Sequence, residues 1–196
     1  IGFISGGSGI AGLTNLGREY INYLVQQLSE LDSLADVIII DTGAGISDAV
    51  MEFLVASGEI LLVTTPEPTS ITDSYSLLKA LKRNMRYNEN MTSVKVISNK
   101  VDTSDEGRQL FSKLNTVVMR YLHMEIDYLG CIPQDKELSK AVMQQNPICI
   151  SNPNAPSAKA FEDLSLTLRD IPHDTPVIRR GMAGFFSNMV TGKHFS

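Results

Sequence analysis

Short, dense apolar runs alternate along the chain with longer stretches in which apolar residues recur every three or four positions. Val37–Ile40 is a block of β-branched apolar residues closed by Asp41. Such a run suits a strand buried on both faces, as in a parallel sheet covered by helices. Similar runs predict strands at Ile1–Ile4, Ile60–Val63, Val94–Ser98 and Tyr128–Ile132, and a last short one at Ile148-Cys149-Ile150.

Helical periodicity fills the intervals. Leu13, Leu16, Tyr20, Leu24, Leu28 and Leu31 form one stripe, and Val50, Phe53 and Leu54 mark a short helix. Ser70 and Asp73 read as a capping box for a helix whose core face is Tyr75, Leu78, Leu81 and Met85. Leu110, Leu114, Val117 and Tyr121 form the next stripe, and a short helix follows Asp135 to about Gln144. Asn154 is placed to cap a helix with Phe161, Leu164, Leu168 and Ile171 on its core face. Strands alternating with helices in this way imply βαβ units. The expected fold is α/β: three layers, doubly wound, with a mainly parallel sheet.

Composition changes this picture little. The chain has 196 residues, 43% hydrophobic and 20% charged, which fits one globular domain of ordinary size. A net charge of −5 gives no bulk electrostatic reason to expect a nucleic-acid partner. Cys131 and Cys149 are far apart with no CxxC, so a reduced, cytoplasmic setting is expected. No apolar stretch reaches the roughly 18–20 residues that span a bilayer. Residues 1–172 read as the domain and 173–178 as a linker, preceding a separate element at 179–196. The chain starts without Met and Gly2-Phe3-Ile4 reads as mid-strand, so we expect an amino-terminal portion upstream.

The candidate chemistry sits in turns. Asp41-Thr42-Gly43-Ala44-Gly45, Asn99-Lys100 and Pro133-Gln134-Asp135 each close a predicted strand. A doubly wound sheet gathers such turns at its carboxyl edge, where open α/β folds place ligands. Asp41 offers an oxygen for a hard cation, and the glycines leave room for a phosphate. Asn99 pairs a donor with an acceptor, which complements the N6/N7 edge of adenine. Each also has a plainer reading: Asp41 as a turn cap, Asn99 as a turn residue, Asp135 as a helix N-cap. Ser5-Gly6-Gly7-Ser8-Gly9 lacks the Lys of G-x-x-x-x-G-K-[ST] and reads as a strand-to-helix turn.

These segments resemble the MinD/ParA class of deviant Walker ATPases, and within it the flagellar-placement FlhG (YlxH) group. The resemblance is carried by Asp36–Gly45, by Thr64–Tyr75, by Tyr128-Leu-Gly-Cys-Ile-Pro-Gln-Asp135 and by Ala141-Val-Met-Gln-Gln-Asn-Pro147. It implies a P-loop NTPase-like fold of the SIMIBI class that binds ATP and Mg²⁺. Asp41 would hold Mg²⁺ through water as the catalytic carboxylate, with Gly43, Ala44 and Gly45 beside the γ-phosphate. Asn99, Pro133 and Asp135 would surround adenine. Glu67 and Asp73 match positions at the dimer or partner surface.

The class also implies an ATP-dependent homodimer, flagellar assembly proteins as partners, and a peripheral place on the inner face of the cytoplasmic membrane. A carboxyl-terminal helix would make that last contact, the plainer alternative being a terminal helix packed on the domain core. Met182, Phe185, Phe186, Met189 and Val190 form one helical stripe, with Arg179, Arg180, Lys193 and His194 beside it. The hallmark G-K-G-G-x-G-K-[ST] loop and the switch I Asp are absent from these 196 residues. The chain alone is therefore expected not to hydrolyse ATP. It is either part of a protein that has the loop or a non-catalytic scaffold with a degenerate site. A ParA-like partitioning ATPase is a further alternative, against which the acidic balance counts.

Overall fold

The computed structural model describes residue 2 and residues 35–170. These fall into two compact units, residues 35–57 belonging to one and 58–170 to the other. The expected strand at Ile1–Ile4, the Leu13–Leu31 helix, the linker and the 179–196 element lie outside the described residues.

In the first unit the sequence expectation is corrected. Residues 37–40 form no strand, and Val37, Ile38 and Ile39 are 73%, 41% and 81% exposed. An apolar run becomes a strand only by pairing with a neighbour, and among the described residues none pairs with it. Helix α1 follows at Asp48–Ala56. Ser47 caps it by accepting from the Val50 N–H at 3.4 Å. Val50, Met51 and Ala56 are buried.

The second unit holds strand β1 (Glu59–Thr64), helix α2 (Pro68–Arg83), β2 (Ser93–Val101), α3 (Ser104–Leu122) and β3 (Asp127–Pro133). Helices α4 (Lys136–Met143), α5 (Ile148–Ser151) and α6 (Pro156–Asp170) complete it. The strands form a parallel sheet in the order β1-β2-β3. Helices α2 and α3 lie against one face, where Ser98, Tyr128 and Cys131 meet the first turns of α3. Helix α6 covers the other face by packing Leu164 among Ile97, Leu129 and Ile132. The central strand is accordingly buried without interruption from Val94 to Ser98. In β1 burial alternates: Ile60, Leu62 and Thr64 are inside, while Leu61 and Val63 are exposed.

Several expectations shift here. Helix α2 starts at Pro68, whose fixed φ and missing N–H suit the first helical position. Ser70 and Asp73 therefore fall inside the helix and form no capping box. Leu78 and Leu81 are fully buried, but the helix ends at Arg83 and leaves Met85 97% exposed. In α3 the buried stripe is Leu110, Leu114, Val118 and Leu122, with Tyr121 turned outward. Ile148-Cys149-Ile150 is a helical turn rather than a strand. Pro147 precedes it, Asn152 N–H closes onto the Ile148 carbonyl at 2.8 Å, and Ile148 packs with Ala141, Ala155 and Ala158. Helix α6 begins at Pro156, two residues past Asn154, and presents Leu164 rather than Phe161 to the core.

Candidate functional site

The carboxyl ends of the three strands are held level by the sheet register. Thr64 stands opposite Ser98, Asn99 opposite Ile132, and Val101 opposite Pro133. Loops leaving these positions share one edge.

At the end of β1, Thr64 is fully buried and its hydroxyl is 3.2 Å from that of Ser70. The same Ser70 oxygen accepts from the Thr65 N–H at 3.0 Å. A residue read as a helix cap thus ties the Thr65-Pro66-Glu67 turn to the strand. Glu67 occupies the N-cap position through its backbone, accepting from the Ile71 N–H at 3.2 Å, while its side chain makes no cap bond. Glu67 and Asp73 are both exposed.

At the end of β2, Asn99 Oδ1 accepts from the Lys100 N–H at 2.9 Å. Lys100 has φ +56°, in the left-handed region, at an irregularity in the β2–β3 register. A non-glycine residue there is strained by roughly 1–3 kcal/mol, and such strain clusters at ligand sites. The bond to Lys100 fixes the Asn99 amide and leaves its NH₂ group free to donate. Beyond the bulge, Thr103 caps α3 by accepting from the Glu106 N–H at 3.1 Å. The Glu106 carboxylate accepts in turn from the Asp102 N–H at 2.6 Å.

At the end of β3, the Gln134 N–H donates to the Val101 carbonyl at 2.9 Å, which holds the Pro133–Asp135 turn beside β2. Asp135 caps α4 through Oδ1, which accepts from the Glu137 N–H at 2.8 Å. Its Oδ2 accepts from the Ser157 N–H at 3.2 Å and the Ser157 hydroxyl at 2.7 Å. These donors, Ser157 foremost, hold the carboxyl below its ordinary range against an opposing effect of burial. Both oxygens are occupied within the protein. The plainer reading of Asp135, a cap, is therefore observed, and the residue positions the turn.

Beside this edge, β3 and the first turns of α3 and α6 enclose a cleft of about 490 Å³. It touches Pro133 but neither Asn99 nor Asp135. Tyr128, on its wall, stacks on Phe111 at 5.2 Å between ring centroids. Its hydroxyl is pushed up to about 12, mainly by burial, with the Cys131 thiol reinforcing the shift and Ser98 and Arg108 opposing it. Tyr128 is thus a neutral phenol at physiological pH.

In the first unit Asp41 is exposed. A methyl group added at Gly43 or Gly45 would meet nothing within 4 Å, so room exists for a ligand to approach that backbone. Gly45 has φ +104°, which strains any other residue. Among the described residues no group of three or more His, Cys, Asp or Glu converges to hold a metal. A Mg²⁺ carried on phosphates needs only one or two protein carboxylates, which the isolated Asp41 fits.

The structure thus brings Asn99, Pro133 and Asp135 to one edge of the second unit. Asp41, Gly43, Ala44 and Gly45 belong to the first, and Met182, Phe185, Phe186, Met189 and Val190 lie outside the described residues. Sequence reading missed Ser157, which lies 22 positions from its partner with no local signal, and the left-handed Lys100.

A family model described as ParA, NUBPL iron-transfer P-loop NTPase, matches residues 17–169. The antiactivator FleN of Pseudomonas aeruginosa is 36% identical over 91% of this chain and 62% of its own length. The flagellum site-determining protein YlxH of Helicobacter pylori is 29% identical over 89% of this chain and 58% of its own. The chain thus spans about 60% of the length of these relatives. Among solved structures, the MinD cell division protein of Aquifex aeolicus superposes with a TM-score of 0.56. That match has 23% identity and covers 76% of this chain and 60% of that one.

Proposed function

The chain belongs to the ParA/MinD family of P-loop NTPases, and on that premise we propose that it forms the base-side and partner-facing part of an ATPase that regulates flagellar number or placement. The observation that carries this reading is the level edge on which the Thr64–Ser70, Asn99–Lys100 and Pro133–Asp135 turns meet. The flagellar role is supported by the names of the two similar relatives, FleN and YlxH.

In this reading the Asn99 amide, held by Lys100, donates and accepts at the N6/N7 edge of adenine. Pro133 packs against the base, and Asp135 keeps Pro133 in place through Ser157 and α4. Asp41 holds Mg²⁺ through water, and Gly43, Ala44 and Gly45 admit the γ-phosphate. The metal, when bound, neutralises charge on the phosphates. Glu67, exposed at the N-cap of α2, and Asp73, exposed on its second turn, face the second copy of an ATP-dependent dimer. Residues 179–196 attach that dimer to the inner face of the membrane.

Calorimetry with Mg-ATP on the protein translated from its whole reading frame tests the nucleotide site. Asn99→Ala is expected to weaken ATP binding about tenfold, the loss of roughly one good hydrogen-bond pair. Asp41→Ala is expected to abolish Mg²⁺-dependent turnover with little loss of stability. Unchanged affinity and turnover in both variants refute the reading. For the tail, deletion of residues 179–196 is expected to end co-sedimentation with anionic liposomes, and retained binding refutes that part.

A further inference from the structure

Helix α2 turns a regular stripe toward the sheet, Ser74, Leu78 and Leu81, all buried. Ser70 lies one turn before Ser74 and therefore occupies the first core-facing position of the helix. A serine there contributes almost no apolar area. It contributes a hydroxyl at the place where β1 ends.

That hydroxyl has two partners. Its oxygen accepts from the Thr65 N–H at 3.0 Å and lies 3.2 Å from the Thr64 hydroxyl. Thr64 is fully buried, so this bond satisfies a group that is costly to bury alone. One serine thus joins the last residue of β1, the first residue after it and the first turn of α2.

The segment it ties is stiff elsewhere. Pro66 and Pro68 have fixed φ, and each biases the residue before it, Thr65 and Glu67, toward extended backbone. Glu67 has φ −63° and ψ +135°, and its carbonyl accepts from the Ile71 N–H at 3.2 Å, which seats it on α2. Neither proline has an N–H with which to anchor the turn. The turn can still swing where it leaves β1, at Thr65, and there Ser70 holds it. At the tip stands the Glu67 side chain, exposed and without a cap bond of its own.

We propose that Ser70 is the positioning residue for Glu67 in the contact between two copies of the chain. The proposal rests on the dimer reading above. A carboxylate held in place before the copies meet loses little freedom on association, whereas a loosened one must be ordered in the complex. A two-fold dimer contains the turn twice, so loosening it acts twice. Ser70 acts on the partner only through Glu67.

The test uses the protein translated from its whole reading frame, with Mg²⁺ and a slowly hydrolysed ATP analogue. Sedimentation velocity reads the dimer dissociation constant. Ser70→Ala should raise that constant roughly tenfold and speed hydrogen exchange at the Thr65 amide. Ser70→Thr, which keeps the hydroxyl, should restore both. Ser70→Ala also leaves the Thr64 hydroxyl buried without a partner, so Thr64→Val is combined with it. That pair removes both hydroxyls and should regain thermal stability without regaining dimer affinity. In a Glu67→Gln background, itself weaker, Ser70→Ala should change the constant by less than about twofold. A dimer unaffected by Ser70→Ala, an equal loss in both backgrounds, or recovered affinity in the Thr64→Val pair each overturn the proposal while leaving the dimer reading in place. A dimer that Glu67→Gln does not weaken, or no dimer at all, removes that reading and the proposal with it.

Discussion

Asp135 and Ser157, 22 positions apart, are joined by two hydrogen bonds to a single carboxylate oxygen, one from the Ser157 amide and one from its fully buried hydroxyl. Through the other oxygen Asp135 caps α4. One side chain therefore fixes the exit of β3, the start of α4 and the start of α6 together. Asp135→Ala should cost roughly 2–4 kcal/mol, a lost cap plus an unpaired buried donor. Ser157→Ala should cost about 1–2 kcal/mol. The two should be strongly non-additive in a double-mutant cycle read by urea unfolding. Additive losses would mean that the pair does not act as a unit.

The same carboxylate gives the stability a pH dependence of known sign. Its folded-state value is depressed, first by Ser157, so its contribution is complete above the ordinary carboxylate range. That contribution disappears as the pH falls through the folded-state value. The unfolding midpoint of the parent should therefore drop more steeply than that of Asp135→Asn as the pH falls below the ordinary carboxylate range. Parallel curves for the two proteins would dissociate the shift from Asp135.

Lys95 lies on the central strand with its ammonium 3.1 Å from Glu59 and 3.3 Å from the Ser93 hydroxyl, and its side chain is only 5% exposed. Removing Glu59 leaves a buried cation without its counter-charge, whereas an apolar replacement removes the cation altogether. Glu59 is itself one-third exposed, so solvent moderates the loss. Glu59→Gln should destabilise by about 1–2 kcal/mol, while Lys95→Met should be neutral or slightly stabilising. Thermal unfolding decides between this order and its reverse.

Gly130 has φ +155° and faces Leu164, leaving no room for a methyl. Gly130→Ala should cost roughly 2–4 kcal/mol from backbone strain and overpacking. Leu164→Ala should recover part of that loss when combined with it, although alone it opens a cavity. If the double variant is no better than the sum of the singles, the steric account of Gly130 is wrong.

Legibility in the sequence followed a physical line. Where an apolar run is itself buried by neighbours along the chain, as at Val94–Ser98 or Tyr128–Ile132, pattern alone located the strand. Val37–Ile40 has an even cleaner pattern, but strand formation needs a pairing partner, and the run cannot specify one. Ile148-Cys149-Ile150 is too short for its period to be read, and Pro147 decided its form. Met85 and Phe161 kept the helical period yet fell beyond the helix end or off its buried face. The places of Asn99, Pro133 and Asp135, near or just past the carboxyl ends of β2 and β3, were legible from the apolar runs that precede them. The partner of Asp135 was not, because Ser157 is contributed by a helix folded back from a distance.

The sheet order β1-β2-β3 repeats the order of the chain, each strand lying beside the one made just before it. This fixes a timetable for synthesis. At about 5–20 residues per second, the interval of some 35 residues between successive strands takes roughly 2–7 s to emerge from the ribosome. Each βα segment can settle against its predecessor while the next is still being translated, and among the described strands none must wait for a later one to fill a gap between it and its predecessor. Among the described residues the sheet is built outward, like courses of brick, and β3 is the last course laid.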